Sequence, residues 1–358
     1  MNDDRTVDPA EAGLFALHVW AFRQGELVAT MIHLGDRLGL YSAMADGATL
    51  TAEGLAARTG LHPRWLREWL RGQAAADLVE STDGVQFRLT EVQRCVLADE
   101  DGSLFFSAGA FGGPLPAPVV DGLAEAFHTG LGLPYDALGP EGAHTVDRML
   151  APWARLMLVP VVLPALDGVV ARLRAGTTVL DVGCGSGLVL ELLARQFPAS
   201  TFHGYDPSRH AVDRARARLA AAGVGNATVH HAGAEDIAPH LRAGLVLTFD
   251  CLHDMPRPDR AALAIGGVLD PDGTWLVKEI RTSGDFATDR KNPLLAMMYA
   301  TSVTTCLSSA CSEPDGMGLG TLGLPERALR DLVGRAGFTR LDVHDVGDPA
   351  NLYYEVRR

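Results

Sequence analysis

Apolar residues recur at helical spacing over residues 12–45 of this 358-residue chain. The apolar side chains there are Leu14, Leu17, Val19, Phe22, Leu27, Met31, Leu34, Leu38 and Leu40. The spacing predicts one or two long helices. A helix this rich in apolar positions must bury them against other helices, either within the same subunit or across a homodimer. The pattern leaves both arrangements open.

A helix–turn–helix pattern with a hairpin follows from residue 48. Thr51 is a typical N-cap and Gly60 a typical stop for the first helix, and His62-Pro63 opens the second. The apolar side of the second helix carries Trp65, Leu66, Trp69 and Leu70. Two short strands, LVES and VQFRLT, are then joined by a turn signal at 82–84. This order predicts a mainly helical winged-helix domain.

The rest of the chain alternates between loop, helix and sheet patterns. Residues 101–140 are rich in Gly and Pro and predict loops with short helices, whereas strands and helices alternate from residue 176 onward. Such alternation is typical of an α/β fold with a doubly wound sheet. The predicted domains are 1–105, a winged-helix domain; 106–172, a helical linker; and 173–358, an α/β domain with insertion 282–325 as a lid.

The clearest local signal is TTVLDVGCGSGLVLELLARQF at 177–197, which predicts a strand, a glycine turn and a helix. Gly183 and Gly185 allow a ligand to lie against the backbone, where a Cβ atom would clash. Asp181 stands two residues before the first glycine. A carboxylate there would repel a pyrophosphate but suits a cationic group such as an ammonium.

Further candidates lie at the ends of the next two predicted strands. Asp206 ends the second strand, where a carboxylate accepts hydrogen bonds from ribose hydroxyls or caps the following helix. Pro207 follows it directly. In VHHAGAEDIAP, after the third strand, Ala234, Glu235 and Asp236 are the candidates for holding an adenine ring.

The motifs VLDVGCGSG, GYDPS, GAEDI and LTFDCLHDM, in this order, resemble class I S-adenosylmethionine-dependent methyltransferases. The resemblance implies a Rossmann-like, seven-stranded methyltransferase sheet and S-adenosylmethionine as cofactor. It also implies that Asp181, Gly183 and Gly185 hold the methionine part and Asp206 the ribose. One departure is Gly233, where many members of the family have an acidic residue.

The whole chain resembles small-molecule O-methyltransferases of plants and bacteria. In that family the winged helix dimerises and helps to form the substrate pocket, so the resemblance implies a homodimer. The acceptor it implies is a small, aromatic or otherwise apolar metabolite of bacterial secondary metabolism. Oxygen is the favoured acceptor atom, and carbon or nitrogen is the alternative.

His253 follows the predicted fourth strand, LVLTFDC, and ligands of doubly wound sheets lie at such strand ends. In the resembling enzymes a His-Asp pair follows this strand, and its His deprotonates the acceptor hydroxyl. The alternative is that His253 only shapes the pocket, while Asp254 orients the ring or caps the next helix. Phe249 and Asp250 are expected on the cofactor side.

Carboxylates that could brace His253 are Glu279, near the fifth strand, and Glu313, in the insertion. Glu313 alone could be the base for a carbon or nitrogen acceptor, or positioning alone could suffice. The predicted acceptor-pocket residues are Tyr135, Met298 and Tyr299. No metal site is predicted, because the His and Cys residues lack ligand spacing.

A winged helix also raises a second function class, a ligand-sensing transcription regulator whose second helix carries Arg64, Arg67 and Arg71. Residues 1–100, however, contain 9 Arg, no Lys and 15 Asp plus Glu, a net charge of −6, and the whole chain has −13. DNA-binding domains usually carry the opposite sign. We therefore expect no nucleic-acid partner.

Five scattered cysteines without a CxxC pair predict reduced thiols rather than disulfides. The acidic start NDDRTVDPAEAG is unlike a signal peptide, and no run of 18 uncharged apolar residues occurs. The sequence therefore predicts a cytoplasmic protein with no membrane partner.

Overall fold

The computed structural model describes residues 7–358, which form two compact units. The first unit ends at Pro114, and the second runs from Leu115 to Arg358. The helices of the first unit are α1 Pro9–Arg37, α2 Leu40–Ala43, α3 Ala52–Thr59, α4 Pro63–Ala75 and α5 Glu91–Leu97.

Local capping explains where the helices of the first unit begin and end. The Thr51 side chain accepts a hydrogen bond from Gly54 N at 3.2 Å to start α3, and Gly60, with φ +73°, ends it. His62 caps α4 by accepting from Arg64 N. These residues are the start and stop signals that the sequence predicted.

The α4 helix buries three of its four predicted apolar residues. Leu66, Trp69 and Leu70 are buried, and Trp69 Nε1 donates to Met31 O on α1 at 2.9 Å. The prediction was wrong for Trp65, which is 79% exposed. Trp65 lies in the first turn of α4, beyond the reach of the α1 contact.

The predicted hairpin is reduced to the isolated bridge of Glu80 with Arg88, and Phe87 of its second strand bridges to Leu50 instead. The reason lies in the connecting loop. The Asp83 carboxylate accepts hydrogen bonds from the amides of residues 85 and 86, both at 2.8 Å. Amides bonded to a side chain are not available to a partner strand, so the wing forms no continuous ladder.

The N-terminal part of α1 exposes its apolar residues in the described chain. Leu14 is 71% exposed, Leu17 67%, Trp20 67% and Phe22 66%, whereas Ile32 near the other end is buried. One long helix is present, as the spacing predicted. Burial within the same subunit holds only for its C-terminal part.

The second unit contains a helical segment followed by a seven-stranded sheet with flanking helices. Its helices are α6 Ala117–Thr129, α7 Gly139–Trp153, α8 Leu163–Ala165, α9 Val169–Ala175, α10 Leu188–Gln196, α11 Arg209–Ala221, α12 Pro258–Val268, α13 Phe286–Asp289, α14 Leu295–Thr301, α15 Leu307–Ala310 and α16 Glu326–Arg335. Its strands are β1 Thr178–Val182, β2 Thr201–Asp206, β3 Ala227–His231, β4 Ala243–Phe249, β5 Leu269–Ile280, β6 Arg340–His344 and β7 Asn351–Arg357.

The strand order is β3-β2-β1-β4-β5-β7-β6, and only β7 runs antiparallel to its neighbours. The chain order reverses between β1 and β4, so the carboxyl ends of these two strands flank the crevice where ligands bind in open α/β sheets. The seven-stranded, Rossmann-like sheet confirms the predicted fold class.

Successive side chains along each strand point to opposite faces of the sheet, so each face has its own hydrophobic core. Val179 and Leu245 pack with α8 to α11, whereas Leu180 and Val246 pack with α12 and α16. Because successive side chains of a strand point to opposite faces, an uninterrupted apolar strand buries both faces. All seven residues of β4 are buried for this reason.

No single helix among residues 7–358 is long and apolar enough to cross a membrane. The bent pair 135–165 and 169–175 passes the test of length and composition when taken together. Much of this pair, including Leu158 and Leu173, is buried in the core of the second unit.

Candidate functional site

The glycine turn, residues 183–187, connects β1 to α10. Gly183 has φ +77° and Gly185 φ +52°, in the left-handed region that favours glycine. A Cβ atom on Gly183 would lie 2.8 Å from Cβ and Sγ of Cys251. The turn therefore needs glycine both for its backbone and for its contact with the end of β4.

Asp181, on β1, brings an unsatisfied carboxylate to this turn. The residue is 2% exposed, and its Oδ2 has no hydrogen-bond partner among the described residues. Burial, with a smaller contribution from Asp206, raises the pKa of Asp181 to about 7. A buried carboxylate without a partner is costly, so the position favours a ligand that carries a cationic donor.

Asp206, at the end of β2, is hydrogen-bonded to the turn. Its Oδ2 accepts from Gly185 N and its Oδ1 from Ser208 N, both at 2.8 Å. Burial raises its pKa, although these two hydrogen bonds oppose the shift. A carboxylate offers about four acceptor positions, so Asp206 can still accept from a ligand hydroxyl.

These groups line a cavity at the carboxyl ends of β1, β2 and β4. It holds about 1140 Å³ of empty space, part of it open to solvent. Its other walls include Val146, Leu150 and Trp153 from α7, so one side is mainly apolar.

A group of charged residues lies at the carboxyl ends of β4 and β5. We call it the carboxylate cluster, and its members are Asp250, His253, Asp254, Lys278 and Glu279. His253 Nδ1 lies 2.5 Å from Glu279 Oε2, and His253 Nε2 lies 3.2 Å from Asp254 Oδ1. Glu279 Oε1 also accepts from Leu252 N at 3.2 Å.

Lys278 and Asp250 form the other pair of the cluster. Lys278 is 2% exposed and donates to Asp250 Oδ2, while Asn351 donates to Asp250 Oδ1 at 2.5 Å. The Lys278 ammonium also lies 4.6 Å from the centre of the Trp153 ring. These contacts hold Asp250 in a left-handed conformation, φ +50°, that is costly for a residue with a side chain.

The cavity brings together most of the sequence-predicted cofactor residues. Its wall includes Asp181, Gly183, Gly185, Asp206, Pro207, Phe249, Asp250 and also Tyr135. Burial raises the pKa of Tyr135, and the nearby Asp254, Cys306 and Asp206 add to the shift. The Tyr135 hydroxyl therefore stays neutral in the cavity wall, near the carboxyl ends of the strands.

Other sequence-predicted residues lie elsewhere. Ala234 is buried outside the cavity wall, Glu235 lies 3.8 Å from Arg260, and Asp236 accepts from Gly233 N. The remaining residues that do not line the cavity are Met298, which is half-buried, and Tyr299 and Glu313, which are exposed. Of the two candidate braces for His253, the fold brings Glu279 to the imidazole and leaves Glu313 at the surface.

The insertion contributes in a way that its sequence did not reveal. Ser309 lines the cavity, and Cys306 lies beside His253 and Asp254. Within residues 7–358, ligand-type atoms of these last three residues form the one group whose members lie within 4.8 Å of one another. The sequence predicted no metal site, and Cys306 stands 52 positions after Asp254 along the chain.

Sequence reasoning also missed an anchor between α7 and the glycine turn. Asp147 lines the cavity and forms a bidentate pair with Arg218 of α11, with both distances 2.7 Å. Arg218 also donates to Ser186 O at 3.1 Å. Arginine and aspartate at helical positions look like ordinary surface charges, so no local signal marks this pair.

The α4 arginines that a DNA reader would use are engaged within the first unit. Arg64 pairs with Glu68 at 2.7 Å, and Arg67 pairs with Glu53 at 2.5 Å. Arg71 donates to Gly84 O at 3.0 Å. Carboxylates compensate the charges of Arg64 and Arg67, in keeping with the negative charge of this part of the chain.

Comparison with known families now connects these features. Residues 179–273 match the methyltransferase domain family, and residues 26–97 match the Rv2258c-like winged HTH domain family. The chain contains a methyltransferase domain. The glycine turn and the ends of β1, β2 and β4 all belong to the part that this domain match covers.

The methyltransferase domain is similar in sequence to trans-aconitate 2-methyltransferase of Pseudomonas paraeruginosa. The two are 38% identical over 97 residues, which are 27% of this chain and 34% of that enzyme. The chain thus spans about a third of the length of this curated relative.

Two solved structures resemble the whole chain. Human N-acetylserotonin methyltransferase, solved with S-adenosylmethionine, is 18% identical with a TM-score of 0.66, covering 100% of this chain and 99% of that one. Mitomycin 7-O-methyltransferase is 19% identical with a TM-score of 0.64, covering 98% and 100%. Because these sequence identities are low, the structural similarity establishes the fold alone.

Proposed function

We propose that the protein binds S-adenosylmethionine in the cavity and transfers its methyl group to an oxygen atom of a small, aromatic or apolar metabolite. The observation that carries this proposal is the unpartnered, buried carboxylate of Asp181 beside the glycine turn, inside a methyltransferase domain. The ammonium of the methionine part would satisfy that oxygen. When bound, S-adenosylmethionine supplies a methyl group already activated by its sulfonium.

The chain's own residues divide the binding task. Gly183 and Gly185 leave the backbone open to the methionine part, and Asp206 accepts hydrogen bonds from the ribose hydroxyls. Pro207 and Ser208 line the cavity next to Asp206. The assignment of Ala234, Glu235 or Asp236 to the adenine stays a prediction, since none of them lines the cavity.

The apolar wall supports an aromatic or apolar acceptor. Leu150, Trp153 and Met255 line the cavity and would contact an aromatic ring there. Oxygen is favoured as acceptor atom because Asp254 and Tyr135 place polar groups in the same cavity. A metabolite of bacterial secondary metabolism fits this lining, since such compounds include many substituted aromatic rings.

Calorimetry with S-adenosylhomocysteine tests the binding part of the proposal. We expect micromolar-range binding by the wild type and a loss of about 10- to 100-fold in Asp181→Asn, because a charge-assisted hydrogen bond is worth about 1.5–3 kcal/mol. Asp213→Asn, an exposed aspartate on α11, is the matched control. Absence of binding by the wild type would refute the proposal.

An acceptor screen tests the transfer part. Phenols, aromatic amines and carbon acids are incubated with methyl-labelled S-adenosylmethionine, and transfer is read by mass spectrometry. Phenols are expected to be the productive class. If only amines or carbon acids gain the methyl group, the alternative N- or C-methyltransferase is correct and O-methylation is rejected.

We also propose that a second copy of the chain covers the exposed apolar face of α1, including Leu14, Leu17 and Phe22. Each of these three side chains is about two-thirds exposed or more, and contiguous exposed apolar residues mark interaction surfaces. Leu17→Glu should convert the dimer to a monomer in light scattering. Leu263→Glu, at an exposed leucine of α12, should leave the dimer intact; a monomeric wild type would contradict the proposal.

A further inference from the structure

Residues 132–136, between α6 and α7, contribute to the wall of the cavity, and we call this segment the strap. Tyr135 of the strap lines the cavity. Ser208, in the loop after β2, and Ser309, in α15 of the insertion, line it as well. The strap is hydrogen-bonded to both of these regions, so it connects the loop that follows Asp206 with the insertion.

One end of the strap is held at the loop after β2 by a pair of side chains. Ser208 Oγ donates to Asp136 Oδ1 at 2.6 Å, and Ser208 is 5% exposed. The same serine donates its N–H to Asp206 Oδ1 at 2.8 Å, and its Oγ accepts from Ala211 N at 3.2 Å to cap α11. Ser208 therefore joins the strap to the carboxylate that we assign to the ribose and to the start of α11.

The other end of the strap is held at α15 by backbone groups. Gly132 N donates to Cys311 O at 2.9 Å, and Leu133 N donates to Ser308 Oγ at 2.8 Å. Ser308 is 6% exposed. A Cβ atom on Gly132 would lie 2.0 Å from Ser308 O, so glycine is required for the strap to lie this close to α15.

The two ends of the strap differ in how easily they open. At α15 the strap donates two backbone amides and packs closely through Gly132. At the loop after β2 it depends mainly on the hydrogen bond between Asp136 and Ser208. A single side-chain hydrogen bond is readily exchanged for bonds to water, which offers both groups an equivalent partner. The Asp136 end is therefore the end that opens first.

From these contacts we infer that the strap couples the cofactor site to the insertion. Asp136 and Ser208 are positioning residues that close the strap beside the bound cofactor, and Ser308 transmits the closed position to α15. The inference rests on the proposed binding of S-adenosylmethionine in the cavity. The cofactor enters, and S-adenosylhomocysteine leaves, while the hydrogen bond between Asp136 and Ser208 is broken and the contacts with α15 remain.

The release rate of labelled S-adenosylhomocysteine from the full-length protein, measured after adding excess unlabelled ligand, tests the role of this hydrogen bond. Release should be about 10-fold faster or more in Asp136→Ala, because a hydrogen bond to a charged group is lost. Ser208→Ala should have a similar effect, and the double variant should release no faster than the single variants, since both changes remove the same bond. Asp121→Ala, at an exposed aspartate of α6, is the matched control. Release at the wild-type rate in Asp136→Ala would overturn the inference.

Hydrogen exchange tests whether the strap transmits ligand binding to the insertion. In the wild type, saturating S-adenosylhomocysteine should slow amide exchange in residues 132–133 and 307–311. In Asp136→Ala this protection should be lost, although the amides of the glycine turn, 183–187, are still protected by the bound ligand. Equal protection of residues 307–311 in the two proteins would show that the strap does not couple the two regions.

Gly132→Ala tests the end of the strap at α15. The added methyl group would displace the strap from Ser308 O, so exchange in residues 307–311 should no longer respond to S-adenosylhomocysteine. Ser308→Ala, which removes the acceptor of the Leu133 amide, gives the same readout if the first variant does not fold. The control is Gly225→Ala, because a Cβ atom there meets nothing within 4 Å. Wild-type protection of residues 307–311 in Gly132→Ala or Ser308→Ala would contradict the coupling.

The proposed function and the coupling by the strap fail in different ways. If the wild type does not bind S-adenosylhomocysteine, the proposed function is refuted, and with it the cofactor as the ligand that the strap encloses. Exchange of residues 132–133 in the ligand-free protein then still tests the hydrogen bond, and it should be about 10-fold faster in Asp136→Ala than in the wild type. If the ligand binds but Asp136→Ala releases it at the wild-type rate, the inference about the strap is overturned and the proposed function stands.

Discussion

The glycine turn lines the cavity, and the carboxylate cluster reaches the same cavity through Asp250 and Asp254, but the two regions compensate their charges in opposite ways. Beside the turn, Asp181 keeps a buried oxygen without a partner. In the cluster, Lys278 pairs with Asp250, and Glu279 pairs with His253. The first arrangement is completed only by a ligand, whereas the second is largely complete before any ligand arrives.

Both regions use left-handed backbone, but they stabilise it differently. Gly183 adopts φ +77° at little cost because it has no Cβ. Asp250 adopts φ +50° with a side chain, which costs of order 1–3 kcal/mol. The ion pair of Asp250 with Lys278 and the hydrogen bond from Asn351 offset that cost. The backbone of the cluster is therefore stabilised by side-chain contacts, whereas the backbone of the turn requires a residue that has no side chain.

Lys278→Met is expected to cause the largest loss of stability. Removing the ammonium leaves the Asp250 carboxylate buried with only Asn351, and breaking a buried pair costs about 3–5 kcal/mol. Urea denaturation measures the loss. Lys291→Met, at the only other lysine and an exposed one, should change stability by less than about 0.5 kcal/mol. Equal midpoints for the two variants would show that the pair does not stabilise the cluster.

Gly183→Ala should have the next largest effect on stability. The left-handed backbone and a Cβ at 2.8 Å from Cys251 together cost about 2–3 kcal/mol, and binding of S-adenosylhomocysteine should be lost. The control is Gly267→Ala, in α12 with open space around it, which should stabilise the protein by about 0.5–1 kcal/mol. A Gly183→Ala protein that binds normally would contradict the proposed role of the turn.

Asp181→Asn should increase the free energy of unfolding of the ligand-free protein and weaken its binding of S-adenosylhomocysteine. The folded-state pKa of Asp181, about 7, lies above its unfolded value, so the stability it contributes below pH 4 is lost as pH rises toward 7. At pH 8 the variant should therefore be about 2 kcal/mol more stable than the wild type without ligand, and the difference should vanish near pH 4. Denaturation at the two pH values checks this. A variant less stable than the wild type at pH 8 would contradict it.

Arg218→Met should have the smallest effect. It removes a partly exposed ion pair with Asp147 and a hydrogen bond to Ser186 O, together worth about 1 kcal/mol. Affinity for S-adenosylhomocysteine should fall about 5-fold, because the glycine turn loses its anchor to α7. Arg209→Met, at an exposed residue on the same helix, should leave the affinity unchanged. Equal affinities in the two variants would show that Arg218 does not contribute to the binding site.

The sequence by itself determined the parts of this molecule that depend on local patterns. The alternation of strands and helices predicted the sheet, the glycines of 183–187 predicted the turn, and Asp181 and Asp206 were placed by their position at strand ends. The caps of α3 and α4 were also readable, since a cap involves residues only two or three positions apart. These features need no knowledge of what packs against them.

Only the tertiary structure decided the parts that depend on residues far apart in the chain. His253 was predicted either to face the acceptor or to shape the pocket; in the structure Asp254 lines the cavity, and the imidazole of His253 contacts Glu279. Glu279 and Glu313 were equivalent candidates along the sequence, and the pairing of β4 with β5 selected Glu279. The orientation of a side chain at a strand end is set by its neighbours in the sheet, and those neighbours come together only when the chain folds.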